Sequence, residues 1–276
     1  FQDSALRTVT IGDGLTQLRS DVFNGCVQLE SVSLPATLQE IGISAFEDCT
    51  SLKSILLPAS LQSIGESAFE GTGLISLHFG KDLETVGKDA FRNCSDLLTI
   101  TTENDLTLYG YGAFDGTLVL QNPAYRYRGG IYFGDAFVQP YEDTDLLTIR
   151  EGTKSVSSMG IYRVGRAEIP SSVQRIDEMA FDTPGYSTKA EIRFETPYLG
   201  NIKLYNVTVV VPENVQFTGQ AVNVTFCYDG SKEDHEANGA PLSAFDQNTV
   251  YFYSETVPAS GGKFWHYVAG EIAFWS

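Results

Sequence analysis

The side chains best equipped for surface chemistry are Tyr109, Tyr111, Tyr125, Arg126, Tyr127, Arg128 and Tyr132. They combine aromatic rings with two of only 18 basic residues, in a chain of 276 that carries 35 acidic ones. Such rings stack on sugars, and both tyrosine and arginine are enriched where proteins bind one another. The competing use for the same residues is to fill an irregular stretch of core. Recognised catalytic patterns are missing: the chain has no C-x-x-C, H-E-x-x-H, G-x-S-x-G or phosphate-cradling glycine loop. Its three histidines, His78, His235 and His266, occupy a strand, a polar loop and an aromatic tail. The acidic runs 141–145 and 231–236 lack EF-hand spacing and read as solvated loops. The expectation is a binding protein with no cofactor and no metal, rather than an enzyme.

The elements that would position these residues follow from a repeat. Phenylalanine recurs at Phe23, Phe46, Phe69, Phe91, Phe114 and Phe137, at spacings of 23, 23, 22, 23 and 23 residues, and Met159 and Phe181 continue the series. The same apolar positions return around each: Leu29, Val32, Leu34, Leu38, Ile41, Ala45, Phe46 and Cys49, then Leu52, Ile55, Leu57, Leu61, Ile64, Ala68, Phe69 and Thr72. Alternation from Leu29 to Leu34 has the period of a strand with one buried face. Pro35 ends it by removing a backbone donor. A glycine turn follows, with Ser44, Ser67 and Asp89 at the N-cap of an expected short helical turn. About seven buried apolar side chains cannot offset the entropy of ordering about 23 residues. The units must therefore stack into a solenoid of short parallel strands, each burying its neighbour's face.

The pattern L-x-x-[VI]-x-[LIF]-P-x-x-[LV]-x-x-[IV]-G-x-x-A-F-x-x-C, matched best at 29–51, 52–73 and 74–96, resembles the bacterial BspA-type leucine-rich repeat. The segments 224–234, 251–256 and 263–271 are similar to the tail common in such proteins. The resemblance implies a secreted or cell-surface protein that works by adhesion or protein binding, and it supplies no catalytic site.

Stacked strands turn alternate residues away from the core. One outward column reads Thr8, Ser31, Ser54, Ser76, Thr99 and Thr148; the other reads Thr10, Ser33, Leu56, His78, Thr101, Arg150 and Glu168. Hydroxyls suit any exposed sheet, so Leu56 and His78 are the most ligand-like pair on that face. The binding candidates are therefore Leu56, His78, Tyr125, Arg126, Tyr127, Arg128 and Arg150. A protein partner is expected first, and a glycan on a Tyr125–Tyr127 platform second.

The net charge of −17 opposes a phosphate backbone, which excludes nucleic acid as a partner. No apolar run reaches the ~18 residues of a membrane span. A monomer is expected. The repeat array is assigned to 1–194, with a degenerate unit at about 118–145, and irregular repeats with an aromatic cap to 195–276. Residues 1–6 match 69–74 in their Phe and Leu spacing, so the chain is expected to begin inside a unit. Cys26, Cys49 and Cys94 fall three residues after the recurring Phe, which marks them as small buried ladder residues, and Cys227 stands outside the pattern.

Overall fold

The computed structural model describes residues 1–141, 143–157, 164–181, 190–212, 214–230, 249–256, 258, 263–269 and 271–275. Met159, the polar loop 231–242 and Glu142 of the first acidic run lie outside these. The fold is a parallel β-solenoid of the leucine-rich repeat kind, and the chain divides into two compact units. The first comprises Phe1–Tyr127 with Ile131–Tyr141, and the second Arg128–Gly130 with Glu142–Ser276.

In the first unit the coils contribute two short strands each, except that the coil carrying Leu56 contributes only Ser63–Ile64. Thr8–Thr10 pairs in parallel with Ser31–Ser33, and Ser76–Phe79 with Thr99–Thr102. A second ladder stacks Gln17–Leu18, Glu40–Ile41, Ser63–Ile64, Thr85–Val86 and Leu108–Tyr109 in that order, all parallel. Between the two segments the chain turns at the proline, where Leu38 N–H donates to the Pro35 carbonyl and Leu61 N–H to Pro58. The repeating apolar positions are buried in one continuous core.

The recurring phenylalanines form a column. Phe1, Phe23, Phe46, Phe69, Phe91 and Phe114 stack with centroids 5.1–5.8 Å apart and planes within 17° of parallel. Phe133 ends the column by meeting Phe114 edge-on, 5.1 Å away. Beside it runs the expected small-residue ladder. The Cys26, Cys49 and Cys94 thiols donate to the carbonyls of Phe1, Phe23 and Phe69 in the preceding coil. All four cysteines are free and buried. Loss of water pushes the Cys49 and Cys227 thiols up to about 12 and Cys94 to about 11.

The Ala-Phe segments are not helical, which corrects the expectation of short helical turns. Helix among the described residues is limited to two 3-10 turns, Val119–Gln121 and Pro123–Tyr125. A helix would satisfy its own N–H groups, whereas here alternate ones donate to the next coil: Ser44 to Glu66, Phe46 to Ala68 and Asp48 to Glu70. This geometry needs positive φ two residues before and two after each Phe. Those sites hold Asp21 and Gly25, Ser44 and Asp48, Ser67 and Gly71, Asp89 and Asn93, and Gly112 and Gly116. Only Gly, Asn, Asp and Ser occur there; the first three are the residue types that enter this region most readily. Ser44, Ser67 and Asp89 thus sit at left-handed corners, with φ between 51° and 55°, rather than at N-caps.

The second unit holds an eight-stranded sheet. Thr144–Thr148, Val164–Ile169, Glu191–Phe194, Thr208–Pro212, Thr225–Asp229, Thr249–Tyr253 and Phe264–Val268 run parallel, and Glu271–Phe274 closes it antiparallel. Glu191, Thr208 and Thr225 are register partners at spacings of 17 residues, so two coils here are shorter than the N-terminal ones. The sequence carries this as Asn206-Val207-Thr208 and Asn223-Val224-Thr225, a 17-residue repeat that the 22–23-residue period does not mark. Both asparagines take positive φ, and the Asn223 amide donates to Asn206 Oδ1 at 2.8 Å.

Candidate functional site

In the first unit the outward columns are exposed where strand alternation placed them, whereas in the second Thr148 and Glu168, expected in different columns, are register partners in one column and are half-buried. Thr8, Thr10, Ser31, Ser33, Ser54, Leu56, Ser76, His78, Thr99 and Thr101 all face solvent, while Val32, Leu77 and Ile100 between them are buried and Ile55 is half-buried. Leu56 is 82% exposed, the most of any large apolar side chain described. Its column neighbours are Ser33 in the coil before and His78 in the coil after. Ile75 and Leu98, immediately before the strands Ser76–Phe79 and Thr99–Thr102, are also exposed.

Polar groups frame these apolar ones. His78 Nδ1 lies 2.9 Å from Thr101 Oγ1, and its Nε2 lies 3.5 Å from Glu103 Oε1. Lys53 reaches Asp96, two coils away, at 3.1 Å. Gly73 makes room for that reach: a β-carbon there would lie 2.6 Å from Lys53 Nζ. An apolar centre with a polar rim is the usual anatomy of a protein-binding patch. The coil that carries Leu56 makes no strand pairing there: the ladder of Thr8–Thr10 with Ser31–Ser33 lies on one side of it and that of Ser76–Phe79 with Thr99–Thr102 on the other.

The tyrosine–arginine candidates have structural duties. Tyr125 is half-buried, and its hydroxyl both accepts from Ile100 N–H and donates to Ile100 C=O, each at 2.9 Å. One hydroxyl thereby serves both backbone groups of that residue at the edge of the Thr99–Thr102 strand. The Tyr125 ring meets Phe133 edge-on at 5.2 Å. Arg126 donates through Nε and Nη2 to the Leu120 carbonyl, and its guanidinium covers the Tyr141 ring at 4.7 Å. Tyr127 is 40% exposed and lies edge-on to Tyr132. Arg128 occupies a turn at φ 43° and Arg150 is partly buried; both belong to the second unit. Leu56 and His78 thus lie in successive coils, and Tyr125, Arg126 and Tyr127 lie where the 3-10 turn Pro123–Tyr125 runs into the short strand Arg126–Tyr127.

The expected aromatic cap is divided between two faces of the second sheet. Phe252 and Phe264 extend the column begun by Tyr228. Trp265 is buried on the opposite face with Val210 and Cys227. No described helix is long and apolar enough to cross a membrane.

Residues 16–125 match, in six copies, the family model described as BspA type leucine rich repeat region. No curated protein matches the chain significantly. Three solved structures are similar to it. A leucine-rich repeat protein from Bacteroides ovatus ATCC 8483 shares 16% identity over 91% of this chain and 74% of its own, with a TM-score of 0.39. A leucine rich cell surface protein from Faecalibacterium prausnitzii A2-165 shares 17% over 84% and 81%, with a TM-score of 0.27. The pneumococcal vaccine antigen PcpA shares 15% over 90% and 84%, with a TM-score of 0.35.

Proposed function

Because residues 16–125 are BspA-type leucine-rich repeats, we propose that this chain is a non-catalytic bacterial surface or secreted protein that binds another protein through the outer sheet face of its first unit. The observation that carries this reading is Leu56, a large apolar side chain left almost fully in water, in the coil before that of His78 and on a face otherwise lined by hydroxyls. Isolated exposed leucines are common, but the two coils that follow also expose Ile75 and Leu98. Adhesion is the role such a face would serve on a cell surface.

The second reading, a glycan module, would use Tyr125, Tyr127 and the arginines beside them. Engagement of the Tyr125 hydroxyl by Ile100, and of Arg126 by Leu120 and Tyr141, leaves Tyr127 as its main platform. The two readings separate on an array of immobilised fibronectin, laminin, collagens and purified polysaccharides. The proposed function predicts saturable binding to a protein spot, lost with His78→Ala or Leu56→Ser. Saturable polysaccharide binding lost with Tyr127→Ala, with no protein bound, would overturn it.

A further inference from the structure

The outer face of the second sheet changes character along its length. One register column reads Thr148, Glu168, Arg193, Val210, Cys227 and Tyr251, polar at first and then apolar. The apolar part is covered by the chain itself. Trp265, fully buried, packs on Val210 and Cys227, and its Nε1 donates to the Tyr228 carbonyl at 3.0 Å. Tyr267 lies beneath the Arg193 guanidinium at 5.4 Å, and Phe274 meets Tyr251 at 4.3 Å.

We propose that the hairpin of Phe264–Val268 and Glu271–Phe274 is a displaceable strap, whose opening exposes the strip Val210–Cys227–Tyr251 as an extension of the outer sheet face.

Three features favour local opening. Among the described residues the strap joins the parallel sheet through two register pairs, Phe252 with Phe264 and Tyr253 with Trp265, with further hydrogen bonds to Ser254. Its anchor is a satellite cluster with three fully buried members among the described residues, Val210, Cys227 and Trp265, against the first unit's much larger core. Small clusters at sheet ends open with less free energy than the whole fold. The third feature is the Tyr267 hydroxyl, buried with no hydrogen-bond partner among the described residues; His266 Nδ1, on the next residue, is in the same position. Closing the strap strips both groups of water without replacing their hydrogen bonds, and this opposes closure.

The second unit supplies its own reporters. Cys227 is its only cysteine, and both tryptophans, Trp265 and Trp275, lie in or beside the strap. Opening is measurable without any partner, so the proposal does not depend on the binding reading. The full chain is treated with iodoacetamide under native conditions, and adducts at each cysteine are followed by peptide mass mapping. The expected result is modification of Cys227 at least about tenfold faster than of Cys49 and Cys94, which wait for larger openings. Tyr267→Phe should slow Cys227 alone by about tenfold, because it removes the unpaired hydroxyl. Tryptophan emission should shift to the red at urea concentrations that leave far-ultraviolet circular dichroism unchanged. Equal rates at Cys227, Cys49 and Cys94, or a Cys227 rate unmoved by Tyr267→Phe, would overturn the proposal.

Discussion

Gly65 passes over Gly42 so closely that a β-carbon on it would lie 2.7 Å from the Gly42 carbonyl carbon and the Ile43 nitrogen. The same approach recurs where Gly42 crosses the Leu18–Ser20 backbone and Gly87 crosses Gly65 and Glu66. The glycine of the repeated Ile/Val-Gly dipeptide is thus what lets neighbouring coils hydrogen-bond at this corner, as Gly65 N–H does to Ile41 C=O at 2.8 Å.

Gly65→Ala should therefore destabilise the first unit by at least about 2 kcal/mol, since the obstructing atoms are backbone and cannot rotate away. Gly12, around which nothing lies within 4 Å, is the control. Gly12→Ala should change stability by less than about 0.5 kcal/mol. Urea midpoints of the two variants decide the matter.

Tyr125→Phe should cost about 1–3 kcal/mol, because both Ile100 backbone groups lose their partner together. Hydrogen exchange should report the loss as faster exchange of the Ile100 amide. A variant with unchanged stability and exchange would show that the hydroxyl is dispensable at that strand edge.

These two residues mark how far the sequence could be read. The repeated Gly, the Phe column and the Cys positions were legible because every coil makes the same steric demand, so each appears again after 22 or 23 residues. The left-handed corners were present too, as Gly, Asn, Asp or Ser two residues either side of Phe, but a helical template concealed them. Tyr125 was visible as an aromatic among arginines, yet its duty depends on a strand edge 25 residues earlier that periodicity does not mark. The strap was illegible for a related reason. Trp265 and Cys227 meet on the outer face because a hairpin folds back, and alternation within one strand cannot show which face a later hairpin will cover.

The buried thiols set a pH dependence. Thiols ionise at 9.0 when exposed, but burial holds Cys49 and Cys227 protonated up to about 12 and Cys94 up to about 11. Below pH 9 the thiols are protonated folded or unfolded, and this contribution is fully present. Above it the unfolded chain releases protons that the folded chain retains, so stability is lost as pH rises from about 9 towards 12. Urea midpoints should fall over that window. Replacing Cys49, Cys94 and Cys227 by alanine should flatten the decline, and a slope unchanged by the replacements would contradict it.

The exposed ion pair Arg7–Glu30, 2.8 Å long, should matter little to stability despite its short distance. Pairs in water typically contribute about 0–1 kcal/mol. Arg7→Ala should leave the urea midpoint within experimental scatter of the parent in physiological salt.

The central claim is that the outer face of the first unit is where a protein partner docks. Its most direct measurement is the equilibrium Kd, by surface plasmon resonance, of the parent and of Leu56→Asp for whichever of immobilised fibronectin, laminin or collagen binds. Leu56 is almost fully exposed, so the substitution should leave the thermal midpoint within about 1 °C, as surface changes usually do. The account predicts a Kd at least about tenfold weaker, a loss of about 1.4 kcal/mol. An unchanged Kd, or no binding to any of these proteins while a polysaccharide is bound, would contradict it.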